Sequence, residues 1–169
     1  VEIITDSWLE EMLQLCQQKG VGMVGAKLYY PDDTIQHAGV VVGLGGVAAH
    51  VLCKLPRDAE GYMGRLRCVQ EMSAVTAACM MVKTSVFKSV EGFDEELKVA
   101  FNDIDLCMKV RSKGEKIIFT PYAELYHYES KSRGMEDTPE KQLRFSREVN
   151  CFRRKWEREL LKGDPYYSP

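Results

Sequence analysis

Val90-Glu-Gly-Phe-Asp-Glu-Glu-Leu-Lys-Val-Ala-Phe-Asn-Asp-Ile-Asp-Leu106 opens as an acid-rich loop and closes as the first turn of a helix. Two carboxylates, Asp103 and Asp105, stand where the loop becomes helical. At that spacing they would not share a face of a regular helix. At a helix start, however, one acid can cap exposed N–H groups while the other points into a cleft. Spacing alone leaves an equal alternative, that both are first-turn acids favoured by the helix dipole. In the functional reading Asp105 takes the capping or supporting role and Asp103, on the loop side, the role of general base.

Further along, Leu125-Tyr-His-Tyr-Glu-Ser130 places His127 on a strand-like segment. A lone histidine on a strand is more often a hydrogen-bonded structural residue than a ligand, and His37 and His50 read as structural. Carboxylates at a loop–helix junction with a histidine on a neighbouring strand nevertheless suit metal-assisted, base-assisted transfer chemistry. Lys131 and Arg133 follow, interleaved with Ser130, Ser132 and Gly134. Such a basic loop could close over a diphosphate; a solvated surface loop is the commoner outcome.

The chain has 169 residues, 45% apolar and 28% charged, enough for one domain with a core or for part of a larger one. A formal net charge of −2 argues against binding nucleic acid through phosphate neutralisation. No apolar run approaches a membrane span, and the start, which lacks a methionine, suggests a fragment rather than a signal peptide. The six cysteines form no CxxC pair and sit mostly in apolar stretches, which disfavours a zinc site or a disulfide framework. A reducing, cytoplasmic setting is expected.

Ser7-Trp-Leu-Glu10 reads as a capping box opening a helix that stops at Lys19-Gly20. Strands are expected over 21–30 and 35–44, then a long loop over 48–66. Residues 74–82 read as strand or close-packed core, 84–89 as a short helix, 103–112 as a helix, and 116–120 and 123–128 as strands. Thr138-Pro139 caps a helix over 138–160 whose apolar stripe is Phe145, Val149, Phe152, Trp156 and Leu160, and 161–169 form a tail. The class is α/β, a mixed sheet with flanking helices in a single partial domain over 1–169.

Six motifs in order carry a resemblance: Val24-Gly-Ala-Lys-Leu28 with Pro31; Ile35-Gln-His-Ala-Gly39; Val75-Thr-Ala-Ala-Cys79; Gly92-Phe-Asp-Glu95; Asn102-Asp-Ile-Asp-Leu106; and Thr120-Pro-Tyr-Ala-Glu-Leu-Tyr-His127. Together they resemble the C-terminal, acceptor-side half of a bacterial family-two glycosyltransferase of GT-A fold. That resemblance implies transfer of a sugar from a nucleotide-diphosphate donor to a saccharide or lipid-linked acceptor, with inversion and a divalent cation, Mn²⁺ or Mg²⁺. It assigns the base to Asp103, sets His127 against the metal or the diphosphate, and allows peripheral association with the inner face of the membrane. Asn102 stands where relatives commonly have glutamate, and Ala77 where they typically have glycine. The nucleotide-binding half and its DxD motif would precede Ser7, so the chain alone is expected to be inactive. Two rivals remain: a saccharide-binding or scaffolding module, and a metal-dependent phosphohydrolase using Asp103, Asp105 and His127.

Overall fold

A computed structural model describes residues 1–128 and 138–167. The strands are β1 (Glu2–Ile3), β2 (Val21–Tyr29), β3 (Ile35–His37), β4 (Val40–Val42), β5 (Ala48–His50), β6 (Gln70–Glu71), β7 (Met80–Val82) and β8 (Lys116–Tyr126). The helices are α1 (Trp8–Cys16), α2 (Thr84–Ser89), α3 (Asn102–Ser112), α4 (Pro139–Lys155) and α5 (Glu157–Lys162). Two long parallel strands, β2 and β8, form the centre of the main sheet. Along β2 the outer neighbour is first β7 and then β3; along β8 it is first β6 and then β1, all antiparallel. β4 and β5 pair separately.

Every residue of β2 is buried, which suits a central strand covered on both faces. On one face Met12 and Cys16 of α1 pack with Val24, Ala26 and Leu28. On the other, Leu106, Cys107 and Val110 of α3 pack with Met23, and Phe152 of α4 joins the same cluster. These contacts make the mixed α/β class expected from the sequence.

Several local expectations need revision. Ser7 precedes α1 but its side chain makes no capping bond, and its φ and ψ of −89° and 22° are not the extended geometry of a cap. The strand expected over 35–44 divides into β3 and β4 at Gly39, whose φ is 102°. The long loop over 48–66 contains β5. The two strands expected between 116 and 128 are one strand, β8, with a bulge: Ala26 pairs with Thr120 and Lys27 with Glu124. Pro121 has no N–H for the ladder, and the three residues 121–123 step out of it. The C-terminal helix breaks at Trp156 rather than running to 160. The tail is tied down, with the Val42 N–H donating to Asp164 Oδ2 at 2.7 Å and the Tyr166 hydroxyl to Glu71.

Gly25 shows how tightly β2 meets the run after Ala74. A Cβ at Gly25 would lie 2.5 Å from Val75 Cβ and 2.6 Å from its Cγ1, and a β-branched side chain has little room to yield. Gly25→Ala is therefore expected to destabilise the fold by about 1–3 kcal/mol, read as a lower Tm in thermal unfolding.

Candidate active site

Asp103 sits in the first turn of α3 and is half-buried. Its Oδ2 accepts the Ala77 N–H at 3.0 Å and its Oδ1 accepts the Ile104 N–H at 2.9 Å. Phe101, two residues earlier, has a left-handed backbone with φ 63°. Non-glycine residues hold that conformation only where their surroundings enforce it. Here the buried Glu148 of α4 accepts the N–H groups of Val99 and Ala100 at 3.2 and 2.8 Å. The Phe101 ring packs between Phe145 and Phe152, at 5.7 and 5.5 Å. The acid-rich loop is thus fixed by the C-terminal helix immediately before it delivers Asp103. Ala77 is exposed and serves Asp103 through its backbone, so its methyl group does not crowd this contact.

Asp105 faces the opposite way and is completely buried. Its Oδ1 accepts from Trp156 Nε1 at 2.8 Å and Lys155 Nζ at 2.7 Å, while Lys109 Nζ lies 3.2 Å from Oδ2. Lys155 also reaches Asp94 in the acid-rich loop, and Lys109 donates to Gly92 O. This arrangement gives Asp105 a supporting role: it holds the loop and the C-terminal helices around the start of α3. It also explains the helix break at Trp156, whose indole is turned inward to reach the carboxylate.

On the other side of the Thr76–Ala77 peptide lies a small cleft of about 90 Å³ lined by Tyr30, Gln36, His50, Thr76 and His127. His127 stands just beyond the end of β8, its N–H bonded to Tyr29 O at 2.9 Å. Its Nδ1 is 2.8 Å from Gln36 Oε1, and Gln36 Nε2 donates back to His127 O at 3.3 Å. Beneath them His37 is fully buried. The Thr76 N–H donates to its Nε2 at 3.4 Å, so the proton of the neutral ring resides on Nδ1 and is shared with His50 Nδ1 at 2.9 Å. Burial first, and the neighbouring His50 second, hold the His37 pKa well below the ordinary imidazole value. Consecutive backbone N–H groups, of Thr76 and Ala77, therefore join this cleft to Asp103.

Gln36, His37 and Thr76 fall within the ordered motifs, but nothing in their local sequence marks them as members of one site. Their convergence depends on β3 returning beside β2, which no single motif displays. Among the described residues no three His, Cys, Asp or Glu side chains come together to hold a metal ion. Asp103, Asp105 and His127 do not form the shared ligand set that a phosphohydrolase would need. Lys131 and Arg133 lie outside the described residues. No helix among the described residues is long and apolar enough to cross a membrane.

A family profile described as "Glycosyltransferase like family 2" matches residues 2–148. An uncharacterised protein of Sinorhizobium fredii is 56% identical over the whole chain, which spans 19% of that protein. The O-antigen biosynthesis protein RfbC of Myxococcus xanthus is 36% identical over the whole chain, which spans 13% of it. An N-acetylglucosaminyl-diphospho-decaprenol L-rhamnosyltransferase of Mycobacterium tuberculosis is 31% identical over 62 residues, 37% of the chain and 20% of that enzyme. The chain thus covers about a fifth or less of each of these relatives.

Two outcomes are expected. Asp105→Ala strands Lys155, Lys109 and the Trp156 indole, and should cost about 3 kcal/mol in denaturant unfolding, whereas Asp103→Asn should cost well under that. The depressed pKa of His37 means that the unfolded chain gains a proton the fold refuses as pH falls through about 6.5. Stability should therefore decline on acidification below that point, by up to about 1.4 kcal/mol per pH unit, and His37→Gln should flatten this slope in melts between pH 7.5 and 5.5.

Proposed function

The chain belongs to glycosyltransferase family 2, and from that premise we propose that it forms the acceptor-side part of an inverting transferase. The enzyme moves a sugar from a nucleotide-diphosphate donor to a hydroxyl of a saccharide or lipid-linked acceptor in the making of a polysaccharide or glycoconjugate. The O-antigen relative supports that product class.

The observation that carries the reading is the setting of Asp103. Among the described residues its hydrogen bonds come from two backbone N–H groups and no cation pairs with it, so the carboxylate is positioned without being neutralised there. Each oxygen keeps acceptor capacity for an incoming hydroxyl. In the proposed step Asp103 takes the proton from the acceptor hydroxyl as its oxygen attacks the anomeric carbon, and the nucleoside diphosphate departs from the opposite face. The partly buried Thr76 and the Gln36–His127 pair line the cleft beyond the Thr76–Ala77 peptide, where they would orient sugar hydroxyls or meet the diphosphate. Lys131 and Arg133 are proposed to assist at the diphosphate. A divalent cation, Mn²⁺ or Mg²⁺, would supply positive charge to the leaving group when bound. The described residues do not complete a site for it. The proposed setting is cytoplasmic, at the inner face of the membrane where a lipid-linked acceptor is used.

The test is release of nucleoside diphosphate from a panel of nucleotide sugars by the complete reading frame, with Mn²⁺ and candidate acceptors. Asp103→Asn should lower kcat roughly 10²–10⁴-fold with the fold intact by circular dichroism. Full turnover in that variant would remove Asp103 as base. Saccharide binding without release from any donor would favour the binding-module alternative.

A further inference from the structure

The bulge in β8 opens the sheet directly beside Lys27. Where Pro121, Tyr122 and Ala123 leave the ladder, a cleft of about 390 Å³ forms, with Lys27 lining it together with Arg57, Arg67 and Tyr122. Lys27 is only 4% exposed. Its Nζ donates to Leu66 O at 3.3 Å and lies 5.4 Å from the centre of the Tyr29 ring. An ammonium group has three donors, and a buried cation is costly without an anionic partner. Among the described residues no carboxylate lies within ion-pairing distance of Lys27 Nζ.

The acids around the cleft are already engaged or exposed. Glu124 accepts from the Tyr29 hydroxyl and, at 3.1 Å, from Arg57 Nη2. Glu60 pairs with Arg67 at 2.9 Å, and Asp58 is exposed at the rim. Arg57 also stacks over Tyr29 at 4.9 Å, so two cations share one ring. Burial lowers the Lys27 pKa most, Glu124 offsets part of that, and Arg57 and Arg67 lower it further. An incoming anion would offset the mutual repulsion of Lys27, Arg57 and Arg67. Tyr122, 54% exposed, adds an aromatic surface for a sugar ring. Arg57 Nη1 also lies 3.3 Å from the hydroxyl of Tyr126, on the strand that ends just before His127.

We propose that this cleft is a subsite for an acidic sugar of the acceptor, binding its carboxylate or phosphate group between Lys27 at the floor and Arg57 and Arg67 at the rim. The word acceptor rests on the glycosyltransferase reading; the binding itself does not.

The test is calorimetric titration of the complete protein with glucuronate, glucose 6-phosphate and glucose, in wild type, Lys27→Met and Arg67→Ala. At least one acidic sugar should bind tenfold or more tightly than glucose. That preference should fall at least tenfold in Lys27→Met and at least threefold in Arg67→Ala, whose side chain is at the surface and safe for folding. Stronger binding of glucuronate identifies a carboxylate-bearing sugar, and of glucose 6-phosphate a phosphate-bearing one. Equal binding of acidic and neutral sugars, or a preference unchanged in the folded variants, overturns the subsite. Should nucleoside diphosphate release fail with every donor while the Lys27-dependent preference persists, the transferase reading falls and the subsite stands. Release without that preference has the reverse meaning.

Discussion

The buried carboxylate of Asp105 is the constraint on which the candidate site depends. A full negative charge out of contact with water is tolerable only when closely matched, and here two ammonium groups and an indole N–H meet it. Those partners come from different places: Lys109 from the same helix, Lys155 and Trp156 from the far end of the chain. Satisfying one carboxylate therefore fastens the C-terminal helices to α3. Through Lys155 to Asp94 and Glu148 to the backbone of Val99 and Ala100, the same fastening reaches the acid-rich loop. Asp103 inherits its position from this network. The two aspartates of Asn102-Asp-Ile-Asp-Leu106 differ in setting, one fully buried among cations and one half-buried on backbone N–H groups.

What the sequence made legible follows from how local each signal is. The run from Val21 reads as a strand because it is mostly apolar and ends at a turn signal, though Lys27 within it hides that the strand is buried throughout, and the ordered motifs carry the family because each holds several specific residues. The β8 bulge was visible only as a gap, since Thr120-Pro-Tyr-Ala123 interrupts a strand pattern without saying that pairing resumes in a shifted register. The Ser7 cap failed for a related reason. Its residue types are right, but cap formation also requires an extended backbone at Ser7, and the chain arrives there in another conformation. Trp156 belongs to the helical apolar stripe by spacing, yet its polar end is claimed by Asp105 and the helix breaks to allow it. The paired imidazoles of His37 and His50 arise from two strands folding together, and no periodicity encodes that.

Strain and support are placed together. Phe101 takes a left-handed backbone that a phenylalanine resists, one residue before α3 begins. The ring is held by Phe145 and Phe152, and the amides just before it by Glu148. The two successive peptides around Thr76 are likewise fixed, the Thr76 N–H by His37 and the Ala77 N–H by Asp103. Backbone held on both flanks leaves the Asp103 carboxylate little freedom to move.

The reach of the C-terminal segment redraws the outline of the heritable unit. The family profile ends at residue 148, but Phe152, Lys155 and Trp156 complete the surroundings of Asp103 and Asp105, and Asp164 and Tyr166 fasten back to Val42 and Glu71. In relatives several times longer than this chain, a recombination breakpoint near the profile's end would carry away Asp103 and leave behind what positions it. A module exchanged intact between such proteins has to extend at least to Tyr166.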